Sequence, residues 1–342
     1  WVDRAQAALE NYLTTGNLAA LDEARAIWYR ILDQAEFTAA SEQFQLMALN
    51  AAGGLFLHCY WAYGRSLDLD RTLALWENVM VRTPTDSPDH ISIQTNLAIG
   101  LRARYSRTGR SEDLQQAISF WEDAITRIPT NSPDRALIQT NLGLGLSDRY
   151  AQTGQLEDLV RAIDLWADAA ASLPPNSHDR AGIQNNLGYA LQYLYMRTGR
   201  LEDLEQAIAA STAAVNQTPD ISPDRAIYQT NLGIGLYHRY ARTGRLEDLE
   251  RAIAAWEDAV ARTTANPVRR ASYINNLGPG LRERYMRTGR WEDLERAISM
   301  WEEAIANTPD NSPSRAAIMT NLGNGLSDRY ARTGQLTDLE RA

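Results

Sequence analysis

The chain repeats itself every 45 residues, and this period constrains its fold more than any other feature. An Asn-Leu pair followed by Gly or Ala recurs at that spacing, and Tyr105, Gly109 and Trp121 belong to further series in the same register. A fixed period of this length is typical of a solenoid, in which supersecondary units stack to share one core. The repeated pairs begin at Asn96, Asn141, Asn186, Asn231, Asn276 and Asn321.

Each repeat predicts two helices, as residues 132–176 illustrate. Ser132 is a good N-cap, Pro133 suits the first helical position, and the first helix is predicted to run to Thr153. Gly154 suits the left-handed residue that ends a helix, and Pro174 stops the second helix. No stretch shows the alternation of a strand. The predicted fold class is therefore all-α, an αα-hairpin solenoid.

The period also predicts the domain organisation. Residues 1–41 form a divergent N-terminal helical cap, and residues 42–342 form the array. Its repeats are 42–86, 87–131, 132–176, 177–221, 222–266, 267–311 and an incomplete 312–342. Ala342 matches Ala297 inside a second helix, so we expect the array to belong to a longer protein.

Composition narrows the function classes. The net charge of −9 argues against nucleic acid and anionic membranes as partners, and no run of eighteen apolar residues predicts a membrane span. All 34 basic residues are arginine, which excludes a lysine Schiff base and a phosphate-loop lysine. The single cysteine, Cys59, excludes an intramolecular disulfide and favours a cytoplasmic protein.

The residues that usually carry catalysis are scattered. His58, His90, His178 and His238 lie in different repeats, without recurring partners at helical spacing, so we expect no metal and no cofactor. His58 and Cys59 are adjacent, but neighbours on a helix point about 100° apart. We therefore expect Cys59 to be a packed core thiol and the chain not to be an enzyme.

A family resemblance rests on one set of residues in the 222–266 repeat, namely Leu232, Gly233, Leu236, Gly244, Ala252, Trp256 and Ala259. They resemble the tetratricopeptide (TPR) signature, although a TPR unit has about 34 residues. The form NLGxxLxxRYxRTGxxxDLxxAI resembles the long TPR arrays of bacterial and fungal multidomain proteins. Many of those carry a caspase-like CHAT protease domain or a signalling NTPase. The resemblance covers roughly residues 42–342 and implies a right-handed superhelix that binds proteins.

Helical angles separate two faces of the first helix of each repeat. Leu232, Leu236 and Tyr240 fall on the face predicted to be core. Gly233 and Gly235 lie inside the helix, where each costs about 1 kcal/mol relative to alanine. Their recurrence predicts that another helix packs there too closely for a Cβ atom.

The opposite face carries the repeated asparagines, from Asn96 to Asn321, and neighbours that vary between repeats. We select Tyr189, Tyr193, Ile234 and His238 among these neighbours. The resemblance implies that first helices line a concave groove, where asparagines can hydrogen-bond the main chain of an extended peptide. The alternative is that each asparagine only braces adjacent helices.

Recurring arginines also allow two interpretations. They can form a basic stripe for an acidic partner, or they can pair locally with Glu247, Asp248 and their equivalents at the start of the next helix. We favour local pairing, because oppositely charged groups lie close in sequence. The residues concerned are Arg239, Arg242, Arg284, Arg287, Arg329 and Arg332.

Together these patterns predict a non-catalytic scaffold that binds a protein or peptide in its groove. The resemblance implies that it is the sensor or adaptor arm of a larger, CHAT-linked protein. The alternative function is a structural spacer or a self-association module without a peptide ligand. Exposure of Tyr189, Tyr193, Ile234 and His238 beside the asparagines favours binding.

Overall fold

The structure, a computed structural model, describes residues 1–263 and 266–342. Within those ranges the regular elements are all α-helices, and no strand is present. The predicted all-α class is confirmed. The helices are α1 Val2–Thr15, α2 Leu18–Asp33, α3 Ala35–Ala39, α4 Glu42–Tyr63, α5 Ser66–Arg82, α6 Pro88–Thr108, α7 Ser111–Arg127, α8 Arg135–Thr153, α9 Leu156–Ser172, α10 His178–Thr198, α11 Leu201–Gln217, α12 Arg225–Thr243, α13 Leu246–Ala261, α14 Pro267–Thr288, α15 Trp291–Ala306, α16 Pro313–Thr333 and α17 Leu336–Arg341.

The chain folds into two compact units, Trp1–Leu165 and Trp166–Ala342. We call the even-numbered helices from α4 to α16 the A helices and the odd-numbered helices from α5 to α17 the B helices. Within each unit an A helix packs against the B helix that follows it, as α4 packs on α5 and α12 on α13. That B helix packs against the next A helix, and consecutive A helices also touch. This is αα-hairpin packing.

Every A helix ends at a glycine in the left-handed region. Gly154 has φ 72°, and its N–H donates to the carbonyl of Tyr150 at 2.7 Å. The predicted glycine ends are confirmed, because only glycine adopts this conformation without strain.

The predicted start of α8 was wrong. The helix begins at Arg135, not directly after Ser132. The carbonyl of Ser132 accepts from the N–H of Arg135 at 3.2 Å, which is the tighter i to i+3 pattern of a turn. In α6 the same sequence pattern caps as expected, because Ser87 accepts from the N–H of Asp89.

Arginines near the start of two A helices bind carbonyls at the ends of the preceding B helices. Nη1 of Arg225 donates to the carbonyls of Val215 and Thr218, at 2.9 and 2.6 Å. These carbonyls lie at the C-terminal end of α11, where main-chain donors run short, and the carbonyl of Val215 also accepts from the N–H of Thr218 at 3.2 Å. Arg315 makes the same two contacts at the end of α15. In these two places the arginine joins a B helix to the A helix that follows it.

The core depends on tryptophan rings that fit against glycines of two A helices. A Cβ atom on Gly280 would lie 2.8 Å from Cζ3 of Trp256, and one on Gly233 would lie closer still to the Nε1 side of the same ring. Trp301 is held in the same way by Gly278 and Gly325. The close packing predicted for Gly233 is confirmed. A Cβ atom on Gly235 would likewise lie 3.1 Å from Cγ1 of Ile208.

Two adjacent glycines in α4 offer a matched test. A Cβ on Gly53 would lie 2.5 Å from Nε1 of Trp76, whereas a Cβ on Gly54 would meet no atom within 4 Å. We expect Gly53→Ala to lower the free energy of unfolding by about 1–3 kcal/mol through overpacking. Gly54→Ala should raise it by about 0.5–1 kcal/mol, because alanine loses less backbone entropy. Urea unfolding followed by circular dichroism measures both, and equal effects would contradict the packing argument.

Candidate functional site

The candidate site is the face of the A helices that carries the repeated asparagines, which we call the asparagine face. All six asparagines are half-buried, while Leu232, Leu236 and Tyr240 on the other side of α12 are buried. The predicted core face is confirmed.

Three of the asparagines bridge to the preceding A helix. In each case the side-chain amide donates to the amide carbonyl of an asparagine 46 residues earlier. Sequence reasoning missed these partners, although the Asn-Asn doublets at 185–186 and 275–276 were a visible signal. The pairs are Asn96 with Asn50 at 3.1 Å, Asn231 with Asn185 at 2.8 Å, and Asn321 with Asn275 at 3.0 Å.

Each pair uses only part of its hydrogen-bonding capacity. The amide NH₂ of Asn50 and the amide carbonyl of Asn96 have no partner among the described residues, and both remain in contact with solvent. In the other two pairs the amide NH₂ of Asn185, which is buried, and that of Asn275 likewise have no partner among the described residues. An amide offers two donors and an acceptor with two lone pairs. The paired asparagines therefore brace the helices and still present a free donor and a free acceptor.

The other three asparagines lack this bridge. Nδ2 of Asn141 is buried without a partner, and so is Oγ1 of Thr95, which stands 46 residues earlier. For Asn186 and Asn276, no side-chain hydrogen bond is present in the part of the chain that the structure describes. The six positions are thus not equivalent, although the sequence repeats them strictly.

Tyr189 and Tyr193 lie together on the exposed side of α10. Their ring centroids are 4.8 Å apart in an edge-to-face arrangement, and their hydroxyl oxygens are 2.9 Å apart. The residues are 44% and 36% exposed, which is high for paired aromatic side chains. Partial burial and the hydrogen bond with Tyr193 raise the pKa of Tyr189, so its phenol is neutral at pH 7. The two rings offer an apolar surface with a polar tip.

Ile234 and His238 do not join the tyrosine pair. Ile234 is half-buried and packs against the core. The ring of His238 lies 6.1 Å from that of Tyr195, and its Nδ1 is buried without a partner. Burial lowers the pKa of His238, which keeps the imidazole neutral at pH 7.

Charged pairs cross the same face in other repeats. Nε of Arg102 donates to Asp148 at 2.6 Å, and Nε of Arg282 donates to Asp328 at 2.5 Å. In α10, Gln192 takes the place of the arginine and donates to the main-chain carbonyl of Asn231 at 2.9 Å. The stretch around α10 is therefore uncharged and aromatic.

Most of the repeated arginines serve the fold. Nε and Nη2 of Arg239 donate to the two carboxylate oxygens of Asp248 at 2.9 and 2.6 Å, and Nη1 donates to Glu205 at 2.6 Å. The hydrogen bond to Asp248 raises the pKa of Arg239. Arg284 and Arg329 repeat this three-helix contact. Local pairing is confirmed for these three.

The outer arginines behave differently. Arg287 donates to the hydroxyl of Tyr240, and Arg332 stacks over the ring of Trp291 at 5.2 Å. Arg242 is exposed and has no ion pair within the described residues. Local ion pairing is therefore wrong for Arg242.

Replacing these arginines by lysine distinguishes the contribution of the planar guanidinium, with its several donors, from that of the positive charge. Arg239→Lys keeps the charge but cannot reach both oxygens of Asp248 and Glu205 together. We expect it to lower the free energy of unfolding by about 1–3 kcal/mol. Arg242→Lys is the control and should change it by less than about 0.5 kcal/mol. Urea unfolding at pH 7 is the measurement, and an unaffected Arg239→Lys protein would show that charge alone suffices.

Cys59 and His58 form no catalytic pair. Cys59 is fully buried in the core of the first unit, and burial raises the pKa of its thiol to about 12. The ring of His58 stacks edge-on against Trp61 at 5.2 Å. In the described part of the chain, no group of three or more His, Cys, Asp or Glu could hold a metal ion.

The thiol of Cys59 therefore reports unfolding. At pH 8 almost no native thiol is ionised, because burial raises the pKa of Cys59 to about 12, and the buried sulfur is inaccessible. We expect Ellman's reagent to leave the native protein unlabelled and to react at the rate of opening when urea is added. Rapid labelling in native buffer would contradict the burial of Cys59.

Comparisons with known proteins bear on the fold. Neither a family model nor a curated protein matches the sequence. The Cut9–Hcn1 hetero-tetramer of the APC/C resembles the chain with a TM-score of 0.57 and 16% identity, over 95% of this chain and 52% of that one. A structure of nearly identical TPR-like repeats from Podosopora anserina matches with a TM-score of 0.46 and 19% sequence identity. The match covers 65% of this chain and 97% of that one. YrrB, a TPR protein with an unusual peptide-binding site, matches with a TM-score of 0.45 and 16% sequence identity. The match covers 72% of this chain and 96% of that one.

These likenesses concern architecture alone. The helix pairing and the Cut9–Hcn1 match together give the chain a TPR-like fold. None of the described helices combines the length and the apolar character needed to cross a membrane.

Proposed function

We propose that the chain is a non-catalytic scaffold that binds an extended segment of a partner protein on the asparagine face. The observation that carries this proposal is the half-used amide pairs, Asn96 with Asn50 and its two counterparts. Each pair keeps one amide NH₂ and one amide carbonyl without a partner among the described residues. An extended peptide needs that combination, because every residue of its main chain carries one N–H and one C=O.

The tyrosine pair supports the same function. Tyr189 and Tyr193 expose rings that lose little conformational entropy when a partner covers them. Their hydroxyls share one hydrogen bond, which leaves one O–H free to donate to a carbonyl of the partner. The remaining predicted contacts are Asn141, Asn186, Asn276, Ile234 and His238. These belong to the proposal as the surroundings of the peptide.

The wider setting rests on the sequence resemblance. We propose that the 45-residue repeats form the sensor or adaptor arm of a larger cytoplasmic protein, linked to a CHAT protease domain. The division into a cap, residues 1–41, and an array, residues 42–342, is part of the same proposal.

A second candidate is a structural spacer or self-association module. The bridging bond of each amide pair favours it, because that bond braces consecutive A helices without any ligand. The two candidates differ in whether the unpaired NH₂ and carbonyl groups of the amide pairs form hydrogen bonds to a bound peptide.

Alanine variants separate the candidates. Asn96→Ala, Asn231→Ala and Asn321→Ala, combined, remove the amides that bridge the A helices. The control combines Asn78→Ala, Asn131→Ala and Asn216→Ala, which are exposed and lie off the A helices. Both proteins are first melted, since each lost bridge costs about 1 kcal/mol, and capture is run well below both melting temperatures.

We expect affinity capture from a cytoplasmic extract, with mass spectrometry, to recover a protein bound by the parent and control but lost in the face variant. A synthetic peptide from that protein should then bind the parent directly. Equal capture by all three proteins, together with a lowered melting temperature of the face variant alone, would support the spacer.

A further inference from the structure

A pocket of about 540 Å³ opens between α4 and α6, next to the first amide pair. Asn50 belongs both to the pocket lining and to the pair with Asn96. The pocket is large enough for one side chain of a partner, and its size is typical of small ligand sites.

The inner surface of the pocket is apolar. Val79 and Ile93 are buried in a small core cluster, against which the half-buried Leu46 packs. Met47 also lines the pocket and is 56% exposed. An aliphatic side chain placed there would cover the exposed methionine, and both apolar surfaces would be removed from contact with water.

The rim of the pocket is acidic. It carries the carboxylates of Glu42 and Asp89 and one cation, Arg82. Arg82 is already engaged, because it donates to Gln45 at 2.9 Å and lies 3.6 Å from Glu42. Asp89 has no ion pair within the described residues. The rim therefore keeps an uncompensated negative charge that suits a cationic neighbour of the inserted side chain.

Two small residues, Ser92 and Thr83, line the pocket where the next repeat has larger ones. Ser92 lines it on α6, and the residue 45 positions later is Leu137. Thr83 lines it at the end of α5, and its counterpart is Ile128. A leucine at position 92 would project into the space that the serine leaves open.

We infer that this pocket is a specificity site for a partner segment in which one leucine-like side chain is flanked by arginine or lysine. The inference rests on the proposed function. The aliphatic side chain enters between Met47, Val79 and Ile93, and its cationic neighbour faces Asp89. The free NH₂ of Asn50 donates to a main-chain carbonyl beside the anchor.

The test uses Met47 as its own reporter. The chain has six methionines, and protein labelled with ¹³C at the methionine methyl groups gives one NMR signal for each. Met47→Leu assigns the pocket signal, and the exposed Met319 is an internal control. The probes are the capped peptides Gly-Ser-Arg-Leu-Arg-Ser-Gly, its Glu-Leu-Glu counterpart and its Arg-Ala-Arg counterpart.

Only the Arg-Leu-Arg peptide should shift the Met47 signal saturably, with a dissociation constant in about the millimolar range for so short a probe. Ser92→Leu should weaken binding of the Arg-Leu-Arg peptide about tenfold or more by filling the pocket, while Ser92→Ala should leave the affinity unchanged. Asp89→Asn should weaken it about two- to fivefold, as expected for an exposed ion pair.

Other results would overturn the inference. These are a Met47 signal unmoved by the Arg-Leu-Arg peptide, equal shifts with the Glu-Leu-Glu peptide, or a shift that survives Ser92→Leu. Failure of the proposed function looks different, because binding would then depend on Ser92 and Asp89 but stay unchanged in Asn96→Ala. Failure of the pocket alone would leave peptide binding sensitive to Asn96→Ala and indifferent to Ser92→Leu.

Discussion

The contact between a tryptophan ring and two glycines is the constraint on which the rest of the structure depends. Trp256 of α13 touches Gly233 of α12, the A helix of the same repeat, and Gly280 of α14, the next A helix. A single side chain therefore sets the spacing within a repeat and between repeats. Where the series has Ser211 instead, Gly188 meets the small side chain and the backbone of α11 directly. Stacked repeats of this kind gain stability mainly from such nearest-neighbour contacts.

Electrostatics follow from that packing and explain the choice of arginine over lysine. Three closely packed helices meet at Arg239, whose planar fork reaches Asp248 and Glu205 at once. Arg225 instead uses Nη1 alone, which donates to the carbonyls of Val215 and Thr218 at the end of α11. On the asparagine face around α10 the side chains are neutral, namely amides and the rings of Tyr189 and Tyr193.

The candidate site was visible in the sequence only in part. The asparagine series and Tyr189 with Tyr193 follow from helical angles, because residues on one face recur at i, i+3, i+4 and i+7. The partners Asn50 and Asn185 did not follow, since a bond across 46 residues depends on how two A helices are rotated against each other. The pocket beside Met47 was missed for a related reason. Its lining comes from α4, α5, α6 and the connection between α5 and α6, and a single sequence does not display the empty volume between packed helices.

Periodicity and local chemistry alone decide that this chain forms αα-hairpins, that the A helices end at glycines, and which face of each A helix enters the core. These features depend on residues within a few positions of one another, which the sequence displays directly. Tertiary packing decides the rest: that Arg239 is paired while Arg242 is not, and that Asn96 is bridged while Asn141 is not. Identical positions in the repeat acquire different roles because their neighbours come from another helix, and those neighbours vary.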